Sequence, residues 1–142
     1  MRFLLLALLL APSAAAADGI LTIPIPDAER GRDLFVSKGC VVCHSVNGVG
    51  GAVAPALDAT EPAGVFDPVD FAARMWRGAQ AMTALQETEL GYQIELSGQE
   101  TADFAAFSEH HALQAGFTEE MIPEIIRGWT LNYYDDAEEE ME

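Results

Sequence analysis

The sequence predicts an all-α domain with a helical, acidic C-terminal extension. Three observations predict it. Three segments open on helix-capping residues and then carry apolar side chains at helical spacing. No stretch shows strand-like alternation, an internal repeat or a hairpin signal. Half of the 142 residues are apolar, enough for one modest core.

The elements follow in chain order. Met1-Arg2, the apolar run Phe3 to Ala11 and the small residues Ala14 to Ala17 form the tripartite export pattern, so residues 1–17 read as a signal peptide cleaved near Ala17-Asp18. The apolar run falls short of the ~20 residues that span a bilayer, and no later run is longer, so no stable membrane insertion is expected after cleavage. Residues 18–26 alternate Ile and Pro from Ile20 and should be extended and exposed. Asp27 can cap a helix running to about Lys38, with Gly39 ending it. Gly31 inside that helix costs about 1 kcal/mol relative to Ala, which suggests a close backbone approach. Asp67-Pro68 opens a second helix, in which Val69, Ala72, Met75, Trp76 and Ala79 recur at helical spacing, Trp76 reads as core and Gly78 marks a loosening. Ser97 and Glu100 form a capping box for a third helix, with Phe104, Phe107 and His111 on one face.

Chemistry concentrates at residues 40–44, Cys-Val-Val-Cys-His, which hold the only two cysteines of the chain. C-x-x-C-H is the attachment signature of c-type haem: two thiols close in sequence bond the two vinyl groups of one porphyrin, and the adjacent imidazole of His44 becomes the proximal iron ligand. The alternatives are weaker. A four-ligand zinc site would have to recruit His110 and His111 from the far end of the domain. A thioredoxin-like motif needs a βαβ context that is not visible, and a plain Cys40–Cys43 disulfide leaves His44 unexplained.

With these residues in hand, the stretch from about Asp27 to His111 resembles the class I cytochrome c family, small bacterial monohaem members above all. The matching pieces are the helix with Gly31 and Phe35, then Cys40 to His44, Ala54-Pro55-Ala56-Leu57, a downstream Met, and the helix bearing Phe104 and Phe107. The resemblance implies a cytochrome c domain over residues 27–111, helices around one covalently bound haem c, and a crossing of the first and last helices at Gly31 in which Phe107 meets Gly31 and Phe35. It also implies that the Pro55 carbonyl accepts the N–H of the second His44 ring nitrogen, fixing its tautomer and raising its basicity as a ligand. Leu57 would pack on the haem face.

For the sixth iron ligand, Met82 is favoured over Met75. Met75 lies on the apolar stripe of the second helix, where Met usually fills core, whereas Met82 is expected just past the helix end, in a loop able to reach the iron. Related sequences carry a similar Met-Trp-x-x-x-x-x-Met stretch, often with Pro two residues before the second Met; Gln80 stands there in this chain. Arg74, Arg77 or Trp76 could bond a haem propionate.

Residues 112–134 form a helical extension in which Thr118 can cap, Pro123 forces a kink or two short pieces, and Ile122, Ile125, Ile126 and Trp129 should pack back on the domain. Residues 135–142 are a like-charge acidic block expected to be disordered and able to steer a basic partner. Seven Lys and Arg against 23 Asp and Glu give a net charge of −16, which disfavours nucleic acid and anionic lipid surfaces. The expectation is a periplasmic electron shuttle, not an enzyme, whose redox protein partners offer a basic docking patch, and which is a monomer or a subunit of a complex. The rival expectations are a haem subunit of a periplasmic oxidoreductase and a ligand-binding sensor with an open sixth site.

Overall fold

The computed structural model describes residues 22–60 and 66–132. The signal segment 1–17 and the acidic tail 135–142 lie outside the described residues. Helix α1, Ala28–Ser37, starts where Asp27 accepts the Arg30 N–H, and closes before Gly39. A single 3-10 turn, Cys40–Val42, follows directly. Helix α2, Pro68–Glu89, is capped by Asp67 through the Val69 and Asp70 N–H groups. Helix α3, Gly98–Ser108, has its capping box complete: Ser97 and Glu100 each bond the other's backbone N–H. Two short helices, α4 His111–Gln114 and α5 Glu124–Arg127, follow.

Between the 3-10 turn and α2 lies a small antiparallel hairpin, β1 Ser45–Val46 with β2 Val49–Gly50, paired Ser45 to Gly50 and Val46 to Val49. The sequence expectation of no hairpin is corrected here. Asn47 (φ 50°) and Gly48 (φ 79°) both take left-handed geometry, the two-residue turn that Asn-Gly favours.

The core is the crossing of α1 on α3. A β-carbon at Gly31 would stand 2.6 Å from the Asp103 carbonyl carbon and 2.9 Å from Phe107 Cβ, and would overlap the Asp103 carbonyl oxygen. The helices therefore touch backbone to backbone. Asp103, only 1 % exposed, fastens the same crossing: it accepts the Asp27 N–H at 2.9 Å, two Arg30 guanidinium hydrogens at 2.7 Å each, and the Gln99 amide at 2.9 Å. Burial alone would raise the Asp103 pKa, but the bonds from Arg30, Gln99 and the Asp27 backbone outweigh it and hold the carboxyl below its usual value.

Phe35 and Phe107 meet at 5.9 Å between ring centroids, and Phe117 closes an aromatic triad at 5.7 and 6.0 Å. Phe117 and the buried Ile122 belong to the C-terminal extension, so that segment completes the core of the domain. Pro123 divides the extension into a 3-10 turn, Glu119–Met121, and α5. Its apolar residues split: Ile122 and Ile126 pack on the core, whereas Ile125 and Trp129 face outward. Thr118 precedes the turn without a side-chain capping bond.

Two expectations about α2 are also corrected. Its buried stripe runs through Phe71 and Met75 to Gln86, leaving Val69 at 75 % and Trp76 at 81 % exposure. The helix also continues unbroken past Gly78. One exposed Gly costs only ~1 kcal/mol, and Gln80 to Gln86 is rich in good helix formers. A proline at position 80 would have stopped the helix; Gln80 does not.

Candidate haem-attachment site

Cys40 opens the 3-10 turn and Cys43 ends it, both as free thiols. Burial pushes the Cys40 thiol up to about 12. Burial, and then the charge of Glu89, push Cys43 up as well. Among the described residues no group of three His, Cys, Asp or Glu is placed to hold a metal ion, so the zinc alternative finds no ligand set there. His110 is occupied at the start of α4, where its Nδ1 accepts the Leu113 N–H at 3.1 Å.

His44 is half-buried, and its Nδ1 lies 2.7 Å from the Pro55 carbonyl oxygen. A carbonyl can only accept, so Nδ1 carries the hydrogen. In the neutral ring the lone pair is then on Nε2, the nitrogen free to bind iron. The loop that carries Pro55 is stitched to the cysteine segment along its length. Gly51 N–H donates to the Val41 carbonyl at 2.8 Å, Ala54 N–H to Cys43 at 3.0 Å, and Leu57 N–H to Ser45 at 2.9 Å. A β-carbon at Gly51 would sit 2.6 Å from the Val42 carbonyl carbon and 2.9 Å from Cys43 Cα, so this strand of chain can press on the turn only as glycine.

A protein-family model described as "Cytochrome c" matches residues 28–112. The chain belongs to the cytochrome c family. Searches of curated proteins and of solved structures gave no match. Membership brings with it a covalently bound haem c and, in general terms, an electron-transfer role for this cytochrome. The residues at the site fit that group: two thiols on one turn, the imidazole next to them, and a ring tautomer that leaves Nε2 available.

Both candidate methionines are on α2. The placement of Met82 in a loop beyond the helix end is therefore corrected, for the reason given by Gln80. Met75 packs against the aromatic core, while Met82, also half-buried, is not among the side chains packed there. Arg74 pairs with Asp70 at 3.2 Å and Glu109 at 3.5 Å and lies over the Phe71 ring.

Sequence reasoning missed three participants. Asp103 and Gln114 are buried polar residues most of whose partners lie far away in the chain, and no local pattern announces them. Leu131 acts through its backbone: its N–H donates to the Val42 carbonyl at 2.9 Å and its carbonyl accepts from Ala52 N–H at 2.8 Å.

Proposed function

We propose that this cytochrome is an exported periplasmic carrier that shuttles single electrons through one haem c bound by Cys40 and Cys43, with His44 and Met82 as axial ligands. The observation that carries the reading is the His44 Nδ1 to Pro55 carbonyl bond at 2.7 Å, next to the two thiols of a C-x-x-C-H segment. When bound, the haem supplies reversible one-electron iron chemistry. The chain's own residues anchor it, keep Nε2 of His44 free for the metal, and exclude water from the Phe35, Phe107 and Phe117 side of the domain. Of the two methionines on α2, Met82 is the one not packed against the core. A thioether in the sixth position blocks access of substrate to the metal and suits electron transfer over catalysis.

Export rests on the N-terminal pattern of residues 1–17. Among the described residues no helix is long and apolar enough to cross a membrane. The net charge of −16 favours redox partners with a basic docking patch.

The test is a reduced-minus-oxidised spectrum with a redox titration of the protein matured alongside a haem-attachment apparatus, wild type beside Met82→Ala. The ferric wild type should show a far-red sulfur-to-iron band that the variant loses; a band that survives rejects Met82, and a colourless protein rejects the whole reading. Mass spectrometry of exported protein should find a mature chain starting at Asp18. One observation favours a second reading, that of a haem subunit in a larger oxidoreductase: Ile125 and Trp129 stand exposed on the extension. Gel filtration from native extract separates the two, since a shuttle elutes as a small monomer.

A further inference from the structure

We infer that Gln114, which lies beyond the region matched by the family, is a positioning residue for the proximal ligand: it holds the loop whose Pro55 carbonyl orients His44. The inference rests on His44 as the iron's proximal ligand and is independent of what occupies the sixth position.

Gln114 is 1 % exposed, and its whole carboxamide is used. Nε2 donates to the Leu57 carbonyl and to the Phe107 carbonyl, both at 2.9 Å, while Oε1 accepts the Ala59 N–H at 2.7 Å. The side chain thus grips the loop on both sides of Asp58 and ties it to α3. The Gln114 main-chain carbonyl accepts the Asn47 amide at 3.1 Å, and Asp58 in turn accepts the Asn47 N–H at 2.7 Å, so the hairpin turn joins the same lattice. Leu57 N–H already donates to Ser45, the residue after His44. Pro55 itself has no N–H and cannot be held by donation. Its carbonyl is placed by what grips its neighbours, and downstream that grip is Gln114 together with the Ser45 carbonyl.

A buried amide with three partners is costly to lose, because each orphaned group keeps its desolvation penalty. Side-chain packing alone would be served as well by Leu or Met. The amide is needed to satisfy two carbonyls and one N–H at the same time.

The experiment uses the haem-loaded, full-length protein and compares wild type, Gln114→Leu and Ile122→Val. The last removes core volume at a residue that makes no hydrogen bond to the loop. Exchange of the His44 Nδ1 proton and of the Ala59 amide is followed by nitrogen-15 NMR in the reduced state, and the reduction potential is titrated. In Gln114→Leu both protons should exchange faster, on the order of tenfold, and the potential should rise, because a loosened Pro55 bond makes His44 a weaker donor to ferric iron. Ile122→Val should lower the melting temperature and leave both exchange rates and the potential at wild-type values. A Gln114→Leu protein that melts earlier but keeps the wild-type potential and His44 exchange would overturn the inference and leave Gln114 as core. If Gln114→Leu does not fold, Gln114→Met takes its place with the same readouts, since its unbranched thioether fills a similar volume, accepts only weakly from Ala59 and has no hydrogen for Leu57 or Phe107. Spectra unchanged in His44→Ala would instead reject His44 as the ligand, a separate failure.

Discussion

Gly31→Ala should destabilise a helix that it would strengthen in isolation. Alanine is favoured over glycine in a helix interior by about 1 kcal/mol. Against that stands the α1–α3 contact, where the added carbon would lie 2.6 Å from the Asp103 carbonyl carbon and 2.9 Å from Phe107 Cβ. Restoring ordinary van der Waals separation needs the helices to part by roughly 1 Å. Both nearest obstacles are parts of α3's own frame, so no flexible side chain can swing away. Parting the helices also stretches the Arg30–Asp103 bonds and opens the Phe35–Phe107 contact. Overpacking of this kind costs about 1–3 kcal/mol or more and exceeds the propensity gain. The net expectation is a loss of up to about 2 kcal/mol, a fall in melting temperature of up to roughly 16 °C for a domain of this size. Gly98→Ala is the paired control: it lies in α3 with nothing within 4 Å of the added carbon, and should be neutral or stabilising by up to ~1 kcal/mol. Thermal unfolding of the haem-loaded proteins by circular dichroism reads both. A Gly31→Ala protein as stable as Gly98→Ala would refute the backbone-to-backbone crossing.

Other expectations follow from the same contacts. Asp103→Asn removes the buried carboxylate that joins Arg30 to α3, leaving Arg30 only its exposed pair with Asp27 at 3.0 Å, and should cost about 1–3 kcal/mol near neutral pH by denaturant unfolding. Asp103 is held below its usual pKa, and Glu100 is brought to about 2 by Lys38 and by the Ser97 backbone and hydroxyl. Each therefore adds stability that is complete above the ordinary carboxylate range and is lost as pH falls through that range toward the folded values. Stability of wild type should drop below about pH 4, and Asp103→Asn should flatten that drop; an unchanged acid profile would contradict the assignment. Ile122→Ala should cost about 2–4 kcal/mol, and a chain ending at Ala112 should fail to give a cooperative melt, since it lacks Phe117 and Ile122. A truncated chain with a wild-type melt would show the extension to be peripheral.

What the sequence made legible was local. Asp27, Asp67 and Ser97 each announced a helix start through bonds reaching only two or three residues ahead. The cysteine pair and His44 are contiguous, so their chemistry needed no fold to be seen. Gly31 could be read as a close approach from its place in the helix, although Gly78, with nothing within 4 Å, shows that a helix also tolerates a glycine with no such contact. The hairpin was not read: Asn47-Gly48 carried its turn, but its strands are two residues long and too short for alternation to show. The continuation of α2 turned on weighing one glycine against the helix formers after it. Which face of α2 is buried depended on α3, and Val69 and Trp76 fit either side by spacing alone. Asp103 and Gln114 could not be read at all, since what makes a polar residue acceptable in a core is a partner dozens of positions away.

The two hydrogen bonds at Leu131 place the last described turn of the chain against the segment that carries the cysteines. A chain is made from its N-terminus, so Val42 and Ala52 emerge long before the residue that joins them. Until Leu131 arrives, the ends of that large loop remain unclosed, and long-range closure is the slow part of folding. The cysteine turn is thus the earliest chemistry in the polypeptide and among the last of its surfaces to be sealed.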